Sequence, residues 1–224
     1  MHQCAALASG CLEPAECRRL SVELDRLAAT IRACRICVDN PVGKPLPHEP
    51  RPVLRPSSSA RILIASQAPG TKVHLSGMPF TDASGDRLRN WLSVTGDEFY
   101  DIEKFAIVPM GFCFPGQDAK GGDLPPRREC APAWRSPLMA LMPRIDLVLT
   151  IGIYAQIWHM GAARRPSLTE TVMNWRAIWE NSVGPKVLPL PHPSWRNTGW
   201  LKQNPWFEMD LLPFLRSEIR YRLG

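Results

Sequence analysis

The sequence predicts a three-layer α/β/α fold around a central, mainly parallel, four-stranded sheet. Four short apolar runs carry this prediction, because they lack the alternation of apolar and polar residues typical of a half-exposed strand. Strands of this kind are buried on both faces, as in a parallel sheet between helices. The runs lie at residues 61–66, 105–109, 146–151 and 186–190. Helical patterns alternate with them, at residues 84–95, 129–142, 153–160, 170–181 and 206–222.

Length and composition fit one globular domain spanning residues 1–224, of which 45% are hydrophobic. The sequence contains no run of about 18 apolar residues, so we expect no membrane span. Its first residues lack a basic region followed by an apolar stretch, so we expect a cytoplasmic protein. The net charge of +6 favours a polyanionic partner. Seven cysteines without a signal peptide favour metal ligands or free thiols over disulfides.

Two segments precede the first strand. Residues 1–33 form a helical lead-in, because apolar residues recur every three to four positions in it (Leu20, Leu24, Leu27 and Ile31). Residues 41–59 are rich in proline and end in three serines, which excludes a regular helix or a central strand. We expect this stretch to be an extended segment on the surface.

A ligand crevice is predicted where the first strand ends. The apolar run breaks into the turn Ser66–Gly70, and a helix begins shortly afterwards, next to the aromatic Phe80 and the carboxylate of Asp82. Open α/β sheets bind ligands at the carboxyl ends of their strands. The Gly- and Pro-rich segment 114–128 is too long for a simple turn, and ordered loops of this length are often functional.

The last strand runs into a histidine. His192 stands between two prolines and is followed by Ser194, so it leaves the sheet at the same predicted edge. It is either a functional residue or a structural one. The following loop, 195–202, interleaves tryptophans with Arg196 and Lys202. This pattern suits phosphate contact and base stacking, and the alternative is that both tryptophans belong to the core.

Four cysteines form a candidate metal site. Cys34 and Cys37 are a Cys-x-x-Cys pair at the end of the first helix, and Cys113 and Cys130 bracket the long loop. Four thiolates suit zinc or an iron–sulfur cluster, and the alternative is four buried, inert thiols. The remaining cysteines fit no ligand spacing and are expected to be free thiols (Cys4, Cys11 and Cys17).

Taken together, these segments resemble the uracil-DNA glycosylase superfamily. Ser66-Gln67-Ala68-Pro69-Gly70 resembles the first motif, Gly-Glu-Ala-Pro-Gly, of the family 4 enzymes. Residues 79–86 are similar to the Phe-Thr-Gly-Asp-x-Ser-Gly stretch of family 5, one residue shorter, and His192-Pro193-Ser194 resembles the second motif. The four cysteines match the positions that hold a 4Fe–4S cluster in both families. The resemblance spans roughly residues 30–215.

The resemblance implies a role for each of these residues. A glycosylase takes a base out of the stack and holds it in a pocket, and Phe80 would stack on that base. His192 would hydrogen-bond the departing base, and Asp82 would orient water or offset the oxocarbenium charge. The implied set is catalytic Asp82, His192 and Gln67; base-binding Ala68, Phe80 and Ser194; DNA-binding Arg196 and Lys202; and a 4Fe–4S cluster on Cys34, Cys37, Cys113 and Cys130. DNA is the implied partner of a monomer.

The chain departs from the family pattern at two positions. Gln67 replaces the acid of the first motif, so no carboxylate acts from that turn. Pro109 stands where families 4 and 5 carry the asparagine that reads uracil, and proline cannot make such paired hydrogen bonds. Losing that pair relaxes or changes the choice of base. The loop Gln117–Asp123 offers amide and carboxylate groups as substitutes.

Three functions fit these observations. The leading hypothesis is a DNA glycosylase that excises uracil or another deaminated or damaged base in base excision repair. The second is an iron–sulfur nucleic-acid-binding protein of the same fold with weak or no activity, which Gln67 and Pro109 favour. The third is a zinc-bound α/β enzyme with an unrelated substrate.

Overall fold

The computed structural model describes residues 13–224. Its sheet has four parallel strands in the order β2-β1-β3-β4, with β1 at Ile62–Ala65, β2 at Phe105–Ile107, β3 at Leu147–Ile151 and β4 at Lys186–Leu190. The predicted fold class is therefore confirmed, with all four strands parallel. The first part of the predicted lead-in, with Cys4 and Cys11, lies outside the described residues.

The order in which the chain adds strands to the sheet reverses beside β1. In the sheet, Ile62 lies opposite Phe105 of β2 and Leu147 of β3. The chain passes from β2 back across β1 to reach β3, so the carboxyl ends of β1 and β3 flank the point where the order reverses. A crevice for ligands opens at such a point in open α/β sheets.

Helices cover both faces of the sheet. They are α1 (Pro14–Arg32), α2 (Ile36–Asp39), α3 (Thr71–Ser76), α4 (Ala83–Leu92), α5 (Gly96–Tyr100), α6 (Cys130–Ala140), α7 (Ile153–Met160), α8 (Leu168–Met173), α9 (Trp175–Asn181), α10 (Thr198–Gln203) and α11 (Leu212–Leu223). Short 3-10 turns lie at Gly161–Ala163 and Trp195–Asn197, and a π turn at Phe207–Leu211 leads into α11.

Two hydrophobic cores confirm the three layers. Side chains alternate across a strand, so Ile62 and Ile64 point to one face of β1, and Leu63 and Ala65 to the other. On the first face they pack with α4, α5, α8, α9 and α11 through Leu88, Leu92, Phe99, Val172, Trp175, Leu215 and Ile219. On the second face they pack with α1, α6 and α7 through Leu24, Ile31, Leu138 and Ala155.

The segments before β1 lie against the second face. Helix α1 buries Leu20, Leu24 and Ile31, and Ala28 takes the buried position next to the predicted Leu27. Residues 41–59 contain no helix or strand, and a bridge joins Arg55 to Ile107 of β2. The expectation that the whole segment lies on the surface is wrong, because Val53 and Leu54 are buried and Leu54 packs in the second core. Among the described residues, no helix combines the length and apolar character needed to cross a bilayer.

The structure corrects the prediction that residues 195–202 form a loop. They form a 3-10 turn followed by α10. Trp200 packs edge-on against Phe207, with ring centroids 5.7 Å apart, and its Nε1 donates to the hydroxyl of Thr169 at 2.8 Å. This anchoring of one helical face explains the difference, because tertiary packing outweighs local preference in short helices.

Candidate active site

The three segments singled out in the sequence meet at one edge of the sheet. They line a cavity of about 680 Å³ at the carboxyl ends of the strands. The turn Ser66–Gly70 follows β1, Phe80 and Asp82 precede α4, and His192 follows β4. A turn, an aromatic ring, a carboxylate and an imidazole thus share one crevice, although they are far apart in the chain.

Backbone hydrogen bonds fix the turn after β1. The N–H groups of Met110 and Gly111, just beyond β2, donate to the carbonyl oxygens of Ser66 and Gln67, each at 2.8 Å. The side chain of Gln67 packs on Gly152 at the end of β3, where a Cβ would lie 3.0 Å from its Cδ. Gly152 has a φ of +80°, so both the backbone and the packing favour glycine there.

Phe80 lines the crevice in a strained backbone conformation and is only 7% exposed. Its φ of +58° is uncommon for a bulky residue, and such strain persists only where the surroundings impose it. The Phe80 carbonyl oxygen accepts from the Tyr100 hydroxyl at 3.1 Å and from Arg89 Nη1 at 3.2 Å. Its ring packs edge-on against Phe99 with centroids 5.9 Å apart. These contacts hold the ring in one orientation.

Asp82 is the N-cap of α4. Its Oδ1 accepts from the backbone N–H of Gly85 at 3.2 Å, so the carboxylate is held at the positive end of the helix. The side chain is partly exposed to the crevice. Asp82 therefore offers a fixed negative charge at the cavity wall.

Burial lowers the pKa of His192, and the carboxylates of Asp82 and Asp123 oppose this shift. A lowered pKa leaves the imidazole neutral at pH 7, with one nitrogen able to donate and the other able to accept. The turn that carries His192 is tied down on two sides. Asn197 Nδ2 donates to the His192 carbonyl oxygen at 2.6 Å, and Arg87 Nη1, from α4, donates to the Ser194 carbonyl oxygen at 2.8 Å.

Of the two residues predicted to bind DNA after His192, Arg196 lines the crevice and Lys202 does not. Trp195 is 74% exposed, whereas Trp200 packs against the core, so the core interpretation is wrong for Trp195 and confirmed for Trp200. Arg196 lines the crevice, and its Nη2 donates to the Gly121 carbonyl oxygen at 3.3 Å. Lys202 is exposed on α10 and does not line the crevice.

The long loop brings Asp123 into the crevice, a residue that the sequence did not single out by itself. Gln117 and Asp123 pair as an antiparallel bridge, and Leu124 N–H donates to the Gly116 carbonyl oxygen at 2.9 Å. Gln117 Nε2 also donates to Asp123 Oδ1 at 3.2 Å. The signal in the sequence was the unusual length and composition of the loop, which did not indicate which side chain would face the cavity.

The four candidate ligand cysteines line a second, small apolar cavity between the end of α1, the end of β2 and the start of α6. Burial raises the pKa of the Cys37 thiol, that of Cys113 to about 12, and that of Cys130 further still. Cys17, on α1, does not line this cavity.

A buried hydrogen-bond donor without a partner lies beside these thiols. Trp134 lines the cavity, and its buried Nε1 has no hydrogen-bond partner among the described residues. A buried donor of this kind costs free energy unless it finds an acceptor. Phe112 N–H already donates to the Cys130 sulfur at 3.4 Å. Within residues 13–224, no group of three or more His, Cys, Asp or Glu side chains that could hold a metal ion is found.

Arg135 and His159 form a buried polar pair next to the crevice. Arg135 of α6 is 1% exposed, and it donates to the carbonyl oxygens of Val108 at 2.6 Å and Pro109 at 3.3 Å. Its Nη2 lies 2.6 Å from Nε2 of His159. Burial lowers the pKa of Arg135 to about 9, and burial together with Arg135 lowers the pKa of His159 to about 3. Pro109 itself lines the crevice and brings no polar side chain to it.

The fold and the crevice define an α/β protein with a cavity at the carboxyl edge of a parallel sheet. The sequence model described as the Uracil DNA glycosylase superfamily matches residues 54–216. The chain belongs to this superfamily. The match runs from before β1 into α11 and includes Phe80, Asp82, Asp123 and His192 of the crevice, whereas Cys34 and Cys37 precede it. Membership suggests DNA glycosylase activity and is consistent with DNA as the partner.

Proposed function

We propose that this protein is a DNA glycosylase that hydrolyses the N-glycosidic bond of uracil or another deaminated base everted from DNA. The observation that carries the proposal is the convergence of Phe80, Asp82 and His192 on one crevice beside the Ser66–Gly70 turn. An everted base needs an aromatic platform, and the scissile bond needs a carboxylate on one side and a hydrogen-bond donor on the other.

Recognition of the base begins with stacking. The Phe80 ring would lie against one face of the everted base, and backbone N–H groups of Gln67 and Ala68 would donate to a base carbonyl oxygen. Stacking on one aromatic ring contributes about 1–3 kcal/mol to binding. Phe80→Leu keeps an apolar side chain without an aromatic face, so it is expected to weaken binding to DNA carrying the base and to leave binding to undamaged DNA unchanged.

Departure of the base is assisted by His192. As the bond from C1′ to the base nitrogen breaks, its electron pair moves onto the base, and negative charge develops on a base oxygen. The neutral His192 imidazole would donate a hydrogen bond to that oxygen, as an oxyanion donor does. Burial supports this role, because it lowers the pKa of His192 and a fixed donor is stronger in a partly desolvated site.

A carboxylate completes the reaction. Positive charge develops on the sugar as the base leaves, and water adds to C1′. Asp82, held as the N-cap of α4, would offset that charge or orient the water. The proton lost by the water balances the charge on the departing base.

The family 4 or 5 subtype, with a 4Fe–4S cluster, is part of the proposal. Cys34, Cys37, Cys113 and Cys130 would hold the cluster, and Trp134 Nε1 would donate to one of its acceptor atoms. The cluster would stabilise the junction of α1, β2 and α6, because the free energy of metal binding is also free energy of folding.

A second function remains a candidate because two crevice positions lack the expected polar groups. Gln67 brings an amide instead of an acid, and its side chain packs on Gly152. Pro109 brings no hydrogen-bonding side chain. Both fit an iron–sulfur nucleic-acid-binding protein that holds a base without hydrolysing the bond.

One assay separates the two functions. The protein is incubated with single- and double-stranded oligonucleotides that carry uracil, hypoxanthine or xanthine, and abasic sites are scored by alkaline cleavage. The glycosylase predicts abasic sites that Asp82→Asn and His192→Ala abolish. Asp97→Asn, at an exposed carboxylate on α5, is the matched control and should retain activity. Tight binding without abasic sites on any of these bases would support the non-catalytic alternative.

A further inference from the structure

The turn after β1 contains no Asp or Glu residue, but the carboxylate of Asp123 from the long loop lies beside it. Asp123 lines the crevice, and its Oδ2 lies 3.1 Å from the point that a Cβ on Gly70 would occupy. Gly70 has no side chain and is the last residue of the turn that carries the amide of Gln67. The position next to this turn is thus occupied by the carboxylate of a residue more than fifty positions away in the chain.

The Asp123 carboxylate is oriented before any ligand arrives. Its Oδ1 accepts from Gln117 Nε2 at 3.2 Å, which leaves Oδ2 on the side of the turn. The surrounding hairpin is closed by its own hydrogen bonds. Asp118 Oδ1 accepts from the N–H groups of Lys120 and Gly122, each at 2.8 Å. A preorganised group contributes more to a reaction than one that must be ordered first.

A hydrogen bond and an electrostatic effect connect this hairpin with the rest of the crevice. Arg196 Nη2, on the rim that follows His192, donates to the Gly121 carbonyl oxygen at 3.3 Å. The charge of Asp123 also acts on the His192 imidazole, as does that of Asp82. Two carboxylates from different parts of the fold therefore act on the same imidazole, whereas the sequence indicated one.

We propose that Asp123 is a second catalytic carboxylate, which orients the attacking water and accepts its proton. This assignment rests on the proposed glycosylase function and divides the two tasks that Asp82 alone would otherwise cover. Asp82 already accepts a hydrogen bond as the N-cap of α4 and supplies fixed negative charge near the sugar. Asp123 lines the crevice with an exposed side chain, which suits contact with water.

The step balances in atoms and charge. The water oxygen bonds to C1′, and the bond from C1′ to the base nitrogen breaks with its electron pair on the base. The water proton passes to Asp123 Oδ2 and then to solvent. The base leaves as an anion stabilised by His192 and takes up a proton from solvent. Hydrolysis by a pair of carboxylates with separate tasks is a general solution for glycosidic bonds.

The test measures single-turnover base release by the full-length protein. Asp123→Asn keeps an oxygen for Gln117 but cannot accept the proton, so the rate is expected to fall about 100- to 1,000-fold. Affinity for an oligonucleotide with non-hydrolysable 2′-fluoro-2′-deoxyuridine should stay within about threefold, because the variant removes general-base assistance and not binding. For Asp123→Ala, added formate should restore at least part of the rate, and for Asp82→Ala it should not.

A second variant keeps the carboxylate and disturbs only its position. Gly70→Ala places a methyl group against Asp123 Oδ2 without requiring a positive φ, so release should slow about tenfold or more. Gly96→Ala, where a Cβ meets no atom within 4 Å, is the matched control and should leave the rate unchanged.

The outcomes distinguish this assignment from the proposed function. If the wild type releases base and Asp82→Asn abolishes release, but Asp123→Asn acts at close to the wild-type rate, the role of Asp123 is refuted and the glycosylase stands. Loss of rate in Asp123→Ala without formate rescue, together with weaker binding to the 2′-fluoro oligonucleotide, would also overturn the role. A wild type that releases no base overturns both proposals.

Discussion

Gly85 lies so close to Phe80 that a Cβ on Gly85 would fall 1.8 Å from the Phe80 carbonyl oxygen. That oxygen belongs to the strained residue whose ring we propose as the stacking platform for the base. The first turn of α4 and the conformation of Phe80 therefore depend on each other. Only glycine fits at position 85 without displacing the backbone that orients the ring.

Gly85→Ala is expected to displace Phe80 or the start of α4. The clash involves backbone atoms and cannot be relieved by a side-chain rotation, so we expect destabilisation of about 2 kcal/mol or more. Base release should fall with it, since Asp82 caps the same helix. Thermal unfolding and release rates measure both effects. Gly96→Ala has open space around its Cβ and should change neither; equal behaviour of the two variants would contradict the account.

Arg87→Ala should lower the rate of base release without a large loss of stability. Arg87 joins α4 to the turn after β4, through the Ser194 carbonyl oxygen at 2.8 Å and the Thr198 hydroxyl at 3.2 Å. Without it, the spacing of Asp82 and His192 is less well fixed, and a shift of about 1 Å can cost about 100-fold in rate.

The matched control for this prediction is Arg18→Ala, which removes the same charge from an exposed position on α1. Comparing the two variants separates positioning from a general loss of attraction to DNA. Equal release rates at saturating DNA would show that Arg87 does not position the turn.

His159 should make the stability depend on pH. Its pKa is lowered to about 3 in the folded protein from 6.5, by burial and by Arg135. The unfolded state therefore binds more protons between these values, so stability falls as the pH drops below about 6.5, with a limiting slope of about 1.4 kcal/mol per pH unit.

His159→Gln keeps an acceptor for Arg135 and removes this titration. Urea unfolding at pH 6.5 and pH 5 should show the wild type losing about 1–2 kcal/mol more than the variant. Identical pH dependence in the two proteins would mean that His159 is not held neutral by its surroundings.

Cys34→Ala tests the proposed cluster. The wild-type protein, purified without oxygen, should be brown with broad absorption near roughly 400 nm. The variant should lose this absorption and unfold at lower temperature, because metal binding contributes to folding. Cys17→Ala is the control, since Cys17 does not line the four-cysteine cavity. A colourless wild type with bound zinc would support the third hypothesis instead.

The sheet and most of the crevice could be predicted from the sequence, because they depend on local patterns. Apolar runs placed the four strands within one or two residues, and the polar residues that follow β1 and β4 necessarily share an edge once the strands are parallel. The short helices α2, α3, α5 and α10 were not predicted. Their stability comes from caps such as Thr95 and from packed side chains such as Trp200, which are weak signals in a sequence.

Contacts between distant segments could not be predicted. The arrival of Asp123 beside Gly70 depends on how the hairpin folds back over the sheet edge, and no periodicity encodes that. The pairing of Arg135 with His159 joins two helices through residues that look ordinary in isolation. Only the structure shows that the buried Nε1 of Trp134 has no hydrogen-bond partner among the described residues.

The most direct test is a crystal structure of the protein with duplex DNA that carries 2′-fluoro-2′-deoxyuridine opposite guanine. We expect the uracil to be everted and to lie on the Phe80 ring, with His192 on its oxygen and the Asp82 carboxylate on the sugar side. A uracil still stacked in the helix, or DNA bound away from this crevice, would contradict this expectation.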